Sequence, residues 1–183
     1  MRIEPELDEV INGQRGILRG IELCLRHECL VAGVALIFSG IDSLAALTRP
    51  IEDANTSRSV FIKWVERFLL PESRLACSAI DFYAARCGVL HTHSPESDLQ
   101  KQGSARQLIY EWRQGPQADA EIPLPPDAIV IQVEGLHQAF KVAVDRFLVA
   151  ADTEAETKNR VRRHLKALLC YRPWPLLAAQ VAA

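Results

Sequence analysis

The sequence holds no CxxC pair, no uninterrupted apolar run of bilayer-spanning length, no internal repeat and no surplus of one charge sign. Its five cysteines are scattered: Cys24, Cys29, Cys77, Cys87 and Cys170. An odd count, behind a start (Met1-Arg2-Ile3-Glu4-Pro5-Glu6) that has no apolar signal-peptide core, leads us to expect reduced thiols in the cytoplasm. The 21 basic residues are matched by 23 acidic ones, a formal net charge of -2. Such a balance excludes a chain-wide pull toward nucleic acid or anionic membrane, so contact of that kind must come from a local patch. The most apolar stretch, Leu30 to Ile41, meets Asp42 before it reaches the roughly 20 residues a membrane span needs. It reads as a core helix, and no membrane partner is expected.

Hydrophobic residues fill 49% of the 183 positions, enough for a single cored domain over 1–183. Pro5-Glu6-Leu7-Asp8 has the proline and acids that favour a first helical turn. From Leu7, Val10 and Ile11 an apolar stripe runs on through Ile17, Leu18, Ile21 and Leu25, with Gly13, Gly16 and Gly20 inside it. Close packing on a neighbouring helix is the plain explanation for those glycines. A second helix is expected from about Cys29 to Leu47, apolar on nearly all sides and hence the central buried element. Ser57 is placed to cap a third helix carrying Val60, Phe61, Trp64, Val65, Phe68 and Leu69, stopped by Pro71. A fourth is expected from near Ser73 to no further than Ser94-Pro95.

The character changes between about 96 and 133, where glycine, proline and polar residues dominate. Two short β-prone runs, 108–112 and 129–133, are candidates to pair as a small hairpin. Helical patterns resume over Glu134 to Ala150 and from Thr153 to about Tyr171, where Arg172-Pro173-Trp174-Pro175 breaks them. The fold class expected is mainly all-α: a helical bundle with a small β-hairpin or loop excursion.

One segment combines the residue types that phosphodiester cleavage uses. Arg86-Cys87-Gly88-Val89-Leu90-His91 puts an arginine and a histidine five positions apart near a helix end. Histidine moves protons near neutral pH, and the arginine fork suits phosphate oxygens. No metal is needed when the nucleophile is the RNA 2′-hydroxyl. Positions i and i+5 do not share a helix face. The pair therefore converges only if the helix loosens near Gly88 or if the site is assembled between subunits.

The run from Asp81 to His91 resembles the R-x4-6-H motif of HEPN domains, all-helical RNA-cleaving or RNA-binding modules of bacterial toxin and defence systems. Within that superfamily it looks most like a small plasmid- and chromosome-borne group with an RCG-hydrophobic-LH signature. The resemblance covers roughly Glu6 to Pro95 plus the closing helices, and 1–183 would be one HEPN-like helical domain with the excursion at about 96–133 as an elaboration. It implies a metal-independent endoribonuclease with Arg86 and His91 as the catalytic pair and no cofactor. It also implies a homodimer with the two motifs facing each other, an RNA substrate, and a 2′,3′-cyclic phosphate and a 5′-hydroxyl as products. A cognate antitoxin or other protein partner fits the toxin–antitoxin and defence setting. The chain departs from the family directly after the arginine, where many active members carry a polar residue, often Asn, and this one carries Cys87. A thiol is a poor donor, so RNA binding without cleavage is the alternative that this departure favours. A helical regulatory or scaffold protein, with Arg86 and His91 serving only packing and solvation, is a further alternative.

Other residues are placed around that motif. His93 lies beside His91 and reads as an auxiliary site residue; with Glu96 and Asp98 it also has metal-ligand types, although a solvated helix end explains the segment as well. Asp42 interrupts the most apolar helix, and a buried carboxylate needs a partner. An ion pair with Arg86 is one option and a helix-edge contact with water or a loop amide the other. Asp81 reads as ordinary surface. Lys101 and Arg106, among Tyr110, Trp112 and Arg113, suit single-stranded RNA, but packing over the bundle is the favoured role for Tyr110 and Trp112. In the last helix Arg160 and Arg163 belong to a basic run that is a solvated face by default and the best phosphate-contact patch in the chain. Cys87 and His91 have contact spacing for a thiol nucleophile and its base, but no oxyanion donor can be named for them.

Overall fold

A computed structural model describes residues 5–92, 97–112 and 123–167, with the side chains of residues 91 and 92 outside that description. The first apolar stripe is not one helix. It divides into α1 (Pro5–Asn12) and α2 (Ile17–Arg26). The break falls at the glycines expected to lie inside the stripe. A Cβ on Gly13 would stand 2.4 Å from the Glu9 carbonyl oxygen, and one on Gly16 would stand 2.7 Å from that of Ile11. The chain turns too tightly there for any side chain, so these two glycines serve the turn.

Helix α3 (Leu30–Leu47) is the axis of the bundle and packs against α2, α4 (Arg58–Trp64), α5 (Ala79–Thr92), α7 (Val133–Thr153) and α8 (Ala155–His164). It is less enclosed than its composition suggests. Ile37, Phe38, Ile41, Leu44 and Ala45 are buried, yet Val31 is 67% exposed. By length and composition α3 is the one helix among the described residues that is apolar enough to cross a membrane, and half of it is packed inside the bundle. Its C-terminal end has its carbonyls covered. The Thr48 hydroxyl donates to the Ala45 carbonyl (2.8 Å), Arg49 to that of Ala46 (2.7 Å) and Arg160 to that of Thr48 (3.0 Å).

Ser57 caps α4, its hydroxyl accepting from the Val60 amide at 3.4 Å. The helix then widens into a π turn over Val65–Leu69, closed by the Leu70 amide on the Val65 carbonyl at 3.0 Å. The wider turn seats Trp64 and Phe68 against each other (5.5 Å between ring centroids) and Phe68 edge-on to Phe147 of α7 (5.7 Å).

The fourth helix starts at Ala79, six residues later than expected from Ser73, because residues 72–78 are irregular and Glu72 and Arg74 take left-handed backbone conformations (φ 62° and 57°). After the short α6 (Asp98–Lys101), β1 (Leu108–Glu111) and β2 (Ile129–Gln132) pair parallel, with Leu108 opposite Ile129 and Tyr110 opposite Ile131. The expected hairpin is therefore not what forms. A parallel pair needs a crossover rather than a tight turn, and the long 112–128 connection supplies one. Leu108, Ile129 and Ile131 point into the core. Tyr110 meets Phe38 edge-on at 6.3 Å, and Trp112 packs on the same cluster, which is the packing role expected of both aromatics. Strand β2 runs directly into α7. A 3-10 turn, Leu165–Ala167, follows α8.

Candidate functional site

Arg86 and Asp42 meet. The Arg86 guanidinium donates through Nη2 to Asp42 Oδ2 at 2.6 Å, joining α5 to the middle of α3 across 44 positions. Both side chains keep part of their surface in solvent, 22% for Arg86 and 28% for Asp42. Burial opposes the charge on Arg86, and the Asp42 bond and charge more than offset it, so the guanidinium is held more firmly protonated than usual. This is the contact that resolves why an acid interrupts an apolar helix: it faces α5 from the partly open side of α3.

A second group of side chains surrounds the pair. Tyr83, one turn before Cys87 on α5, lies within hydrogen-bonding reach of the Cys87 thiol, and that thiol also reaches Arg86. The Tyr83 ring packs against two residues of α4. Phe61 of α4 stands edge-on at 5.7 Å, and the exposed Arg58 guanidinium lies 5.4 Å from the ring centroid. Burial and the neighbouring Cys87 raise the Tyr83 pKa, while Arg86 and Arg58 pull the other way. Neither Tyr83 nor Arg58 was singled out from the sequence. The i, i+4 spacing of Tyr83 and Cys87 was a readable signal; Arg58 lies 25 positions away and was not.

Helix α5 is regular from Ala79 to Thr92 and does not loosen at Gly88. On such a helix side chains at 86 and 91 leave the axis about 140° apart. His91 contributes its backbone to the last turn; its side chain lies outside the described residues, as does all of His93. Among the described residues no group of three or more His, Cys, Asp or Glu is arranged to hold a metal ion.

The remaining residues named from the sequence fall in three places. Lys101 ends α6, exposed, with Asp98 at 3.8 Å. Arg106 is committed to Asp81: its backbone amide donates to Oδ1 at 2.7 Å and its Nη2 to Oδ2 at 2.9 Å. Asp81 is thus no surface residue; it is 2% exposed and caps α5 from within. Its Oδ2 accepts from the Ser78 amide (2.9 Å) and hydroxyl (2.8 Å), while Ser78 Oγ accepts from the Asp81 amide (3.3 Å). Ser78-Ala79-Ile80-Asp81 is a capping box, with Asp in the role of the usual Glu. That S-x-x-D signature was legible and pointed to the true start of α5. Burial raises the Asp81 pKa, but the bonds from Ser78 and Arg106 together outweigh it and hold the carboxyl below its ordinary value.

Arg160 ties α8 to Thr48 at the end of α3 and pairs with Glu156. Arg163 is exposed on the same helix, with Arg162 and Lys166 exposed beside it. Thr48, which Arg160 of α8 reaches, lies six residues past Asp42, about 9 Å along the α3 axis.

Comparisons with protein-family models, with curated proteins and with solved structures give no match.

Proposed function

We propose that this chain is a HEPN-like, RNA-directed protein whose active form is a homodimer that cleaves RNA without a metal, using Arg86 and His91. The observation that carries the reading is the partly exposed Arg86 guanidinium, anchored by Asp42 at 2.6 Å within the R-x4-H motif. An arginine fixed in orientation and kept charged is the form in which it stabilises negative charge on a pentacoordinate phosphorus. In the proposed reaction the 2′-hydroxyl of RNA attacks the adjacent phosphorus. Histidine takes or returns the proton, and the leaving 5′-oxygen departs as a hydroxyl, leaving a 2′,3′-cyclic phosphate. The regular course of α5 separates Arg86 from His91 within one protomer, so the reading requires two protomers, each completing the other's site. Arg163 and its neighbours on α8 supply backbone phosphate contacts. A cytoplasmic toxin or defence role, with an antitoxin or other protein partner, belongs to the same proposal.

A second reading, RNA binding without cleavage, is favoured by Cys87, which faces Tyr83 and Arg86 where active HEPN relatives often place Asn.

Incubation of the dimer with single-stranded RNA in EDTA tests the first reading. Cyclic-phosphate products from wild type, and none from Arg86→Ala or His91→Ala, are expected. A folded dimer that leaves RNA intact overturns catalysis, and binding that weakens steeply with salt then selects the second reading. Cleavage that persists in both variants overturns the residue assignment.

A further inference from the structure

The turn between α2 and α3 is closed by the Cys29 amide, which donates to the Cys24 carbonyl at 2.8 Å. A backbone bond of that kind holds two Cα atoms about 5–6.5 Å apart, inside the about 4.4–6.8 Å over which a disulfide closes. The Cys24 Cβ points at α3, 3.5 Å from where a Cβ on Gly33 would stand. The Cys29 thiol donates to the His27 carbonyl at 3.5 Å. Cys29 is exposed and Cys24 half-buried, so one sulfur meets solutes first and the other waits behind it. Cys77, by contrast, is buried, and burial with the nearby Asp81 pushes its thiol up to about 12, which keeps it out of thiolate chemistry.

We propose that Cys24 and Cys29 are an oxidant-responsive dithiol, a modification site at the α2–α3 turn that a peroxide converts to an intramolecular disulfide. The Cys29 sulfur attacks one peroxide oxygen; the S–O bond forms, the O–O bond breaks, and the departing hydroxide leaves as water with the thiol proton. The Cys24 sulfur then attacks the Cys29 sulfenic sulfur. The S–S bond forms, the S–O bond breaks, and the second hydroxide leaves as water with the Cys24 proton. Two thiols and one peroxide become one disulfide and two waters, with the sulfur pair surrendering two electrons. The fold favours this outcome over further oxidation of Cys29, because the resolving thiol is five residues away across the hydrogen-bonded turn.

The full chain, reduced and then treated with a few equivalents of hydrogen peroxide, tests this. Trypsin cuts between the two cysteines, after Arg26. The Cys24 and Cys29 peptides are expected to travel as one linked species, about 2 Da lighter than their sum, until a reductant is added. The Cys24→Ser chain should form a dimedone adduct on Cys29 instead, and the Cys29→Ser chain should keep Cys24 reduced. Recovery of both thiols free in wild type, of Cys29 as sulfinic acid, or of a Cys29 disulfide between two chains overturns the proposal. None of these readouts depends on RNA.

Discussion

Arg86 of α5 and Asp42 of α3 form an ion pair that ties the two helices together, at 2.6 Å and with both partners more than two-thirds buried. Asp42→Ala removes the counter-charge and leaves a half-buried guanidinium without it. We expect a loss of about 1–2 kcal/mol in stability, discounted for the solvent that both groups still meet. Chemical denaturation of the single and double variants with Arg86→Ala should give a coupling of about 1 kcal/mol. If the proposed activity holds, Asp42→Asn should lower RNA cleavage roughly tenfold to a hundredfold by letting the guanidinium wander.

The Asp81 hub predicts a sharper structural penalty. Asp81→Ala strips the capping box and leaves the Arg106 amide and guanidinium without their acceptor. A loss of about 3 kcal/mol is expected, against roughly 1 kcal/mol for Arg106→Ala, whose side chain is half-exposed. Urea midpoints at fixed pH separate the two.

Acid should weaken the fold in two stages. His164 is buried, and burial together with Arg49 lowers its pKa despite the backbone bonds from 49 and 50 that favour its charge. The unfolded chain then binds the extra proton more readily, so this stability is present above the unfolded value of 6.5 and is lost as pH falls through the lower folded pKa. The Asp81 carboxyl, depressed in the fold, contributes stability above its unfolded 3.8 that is lost on further acidification. Melting curves between pH 7.5 and 3 should show both stages, and His164→Gln should flatten the first.

Two glycines in the bundle should respond oppositely to alanine. A Cβ on Gly40 would stand 2.6 Å from Phe140 Cζ and 3.1 Å from Ile17 Cδ1, with the Phe140 ring fully buried and unable to yield. Overpacking of about 1–3 kcal/mol is expected. A Cβ on Gly20 would meet only Leu36 Cδ1 at an ordinary 3.6 Å. Gly20→Ala should stabilise α2 by up to about 1 kcal/mol, and thermal melts of the two variants should move in opposite directions.

The Tyr110 hydroxyl is buried with no hydrogen-bond partner among the described residues, and burial together with nearby Cys77 drives its pKa far up. Tyr110→Phe deletes an unsatisfied polar group and keeps the ring on Phe38. We expect a neutral to stabilising change of up to about 1 kcal/mol; a loss of that size in a denaturation curve would overturn the view that the hydroxyl is unpaired.

Much of the bundle was readable because its cues are local. Apolar residues at helical spacing mark α3, α4 and α7, and Ser57 marks its own cap. The motif could be located by residue type alone, and an ion pair between Asp42 and Arg86 was one of two options that the sequence left open. Three features were misread where a local cue was weaker than a long-range one. Gly13 and Gly16 looked like packing glycines and are the turn itself. The two β-prone runs suggested a hairpin, yet strand direction is set by what each strand packs on, which no short segment encodes. Asp81 looked solvated because its partner, Arg106, lies 25 positions on.

By itself the sequence determined the helical class and most of the buried faces, since each follows from periodicity and residue type within a turn or two. Only the tertiary structure decided that Asp42 faces Arg86, that Tyr83 packs against Phe61 and Arg58 of α4, and that α5 stays regular through Gly88. Those are contacts between segments, or the outcome of packing around a segment. They arise from burying the shared faces of α3, α4 and α5 together, a constraint that no single stretch of chain carries.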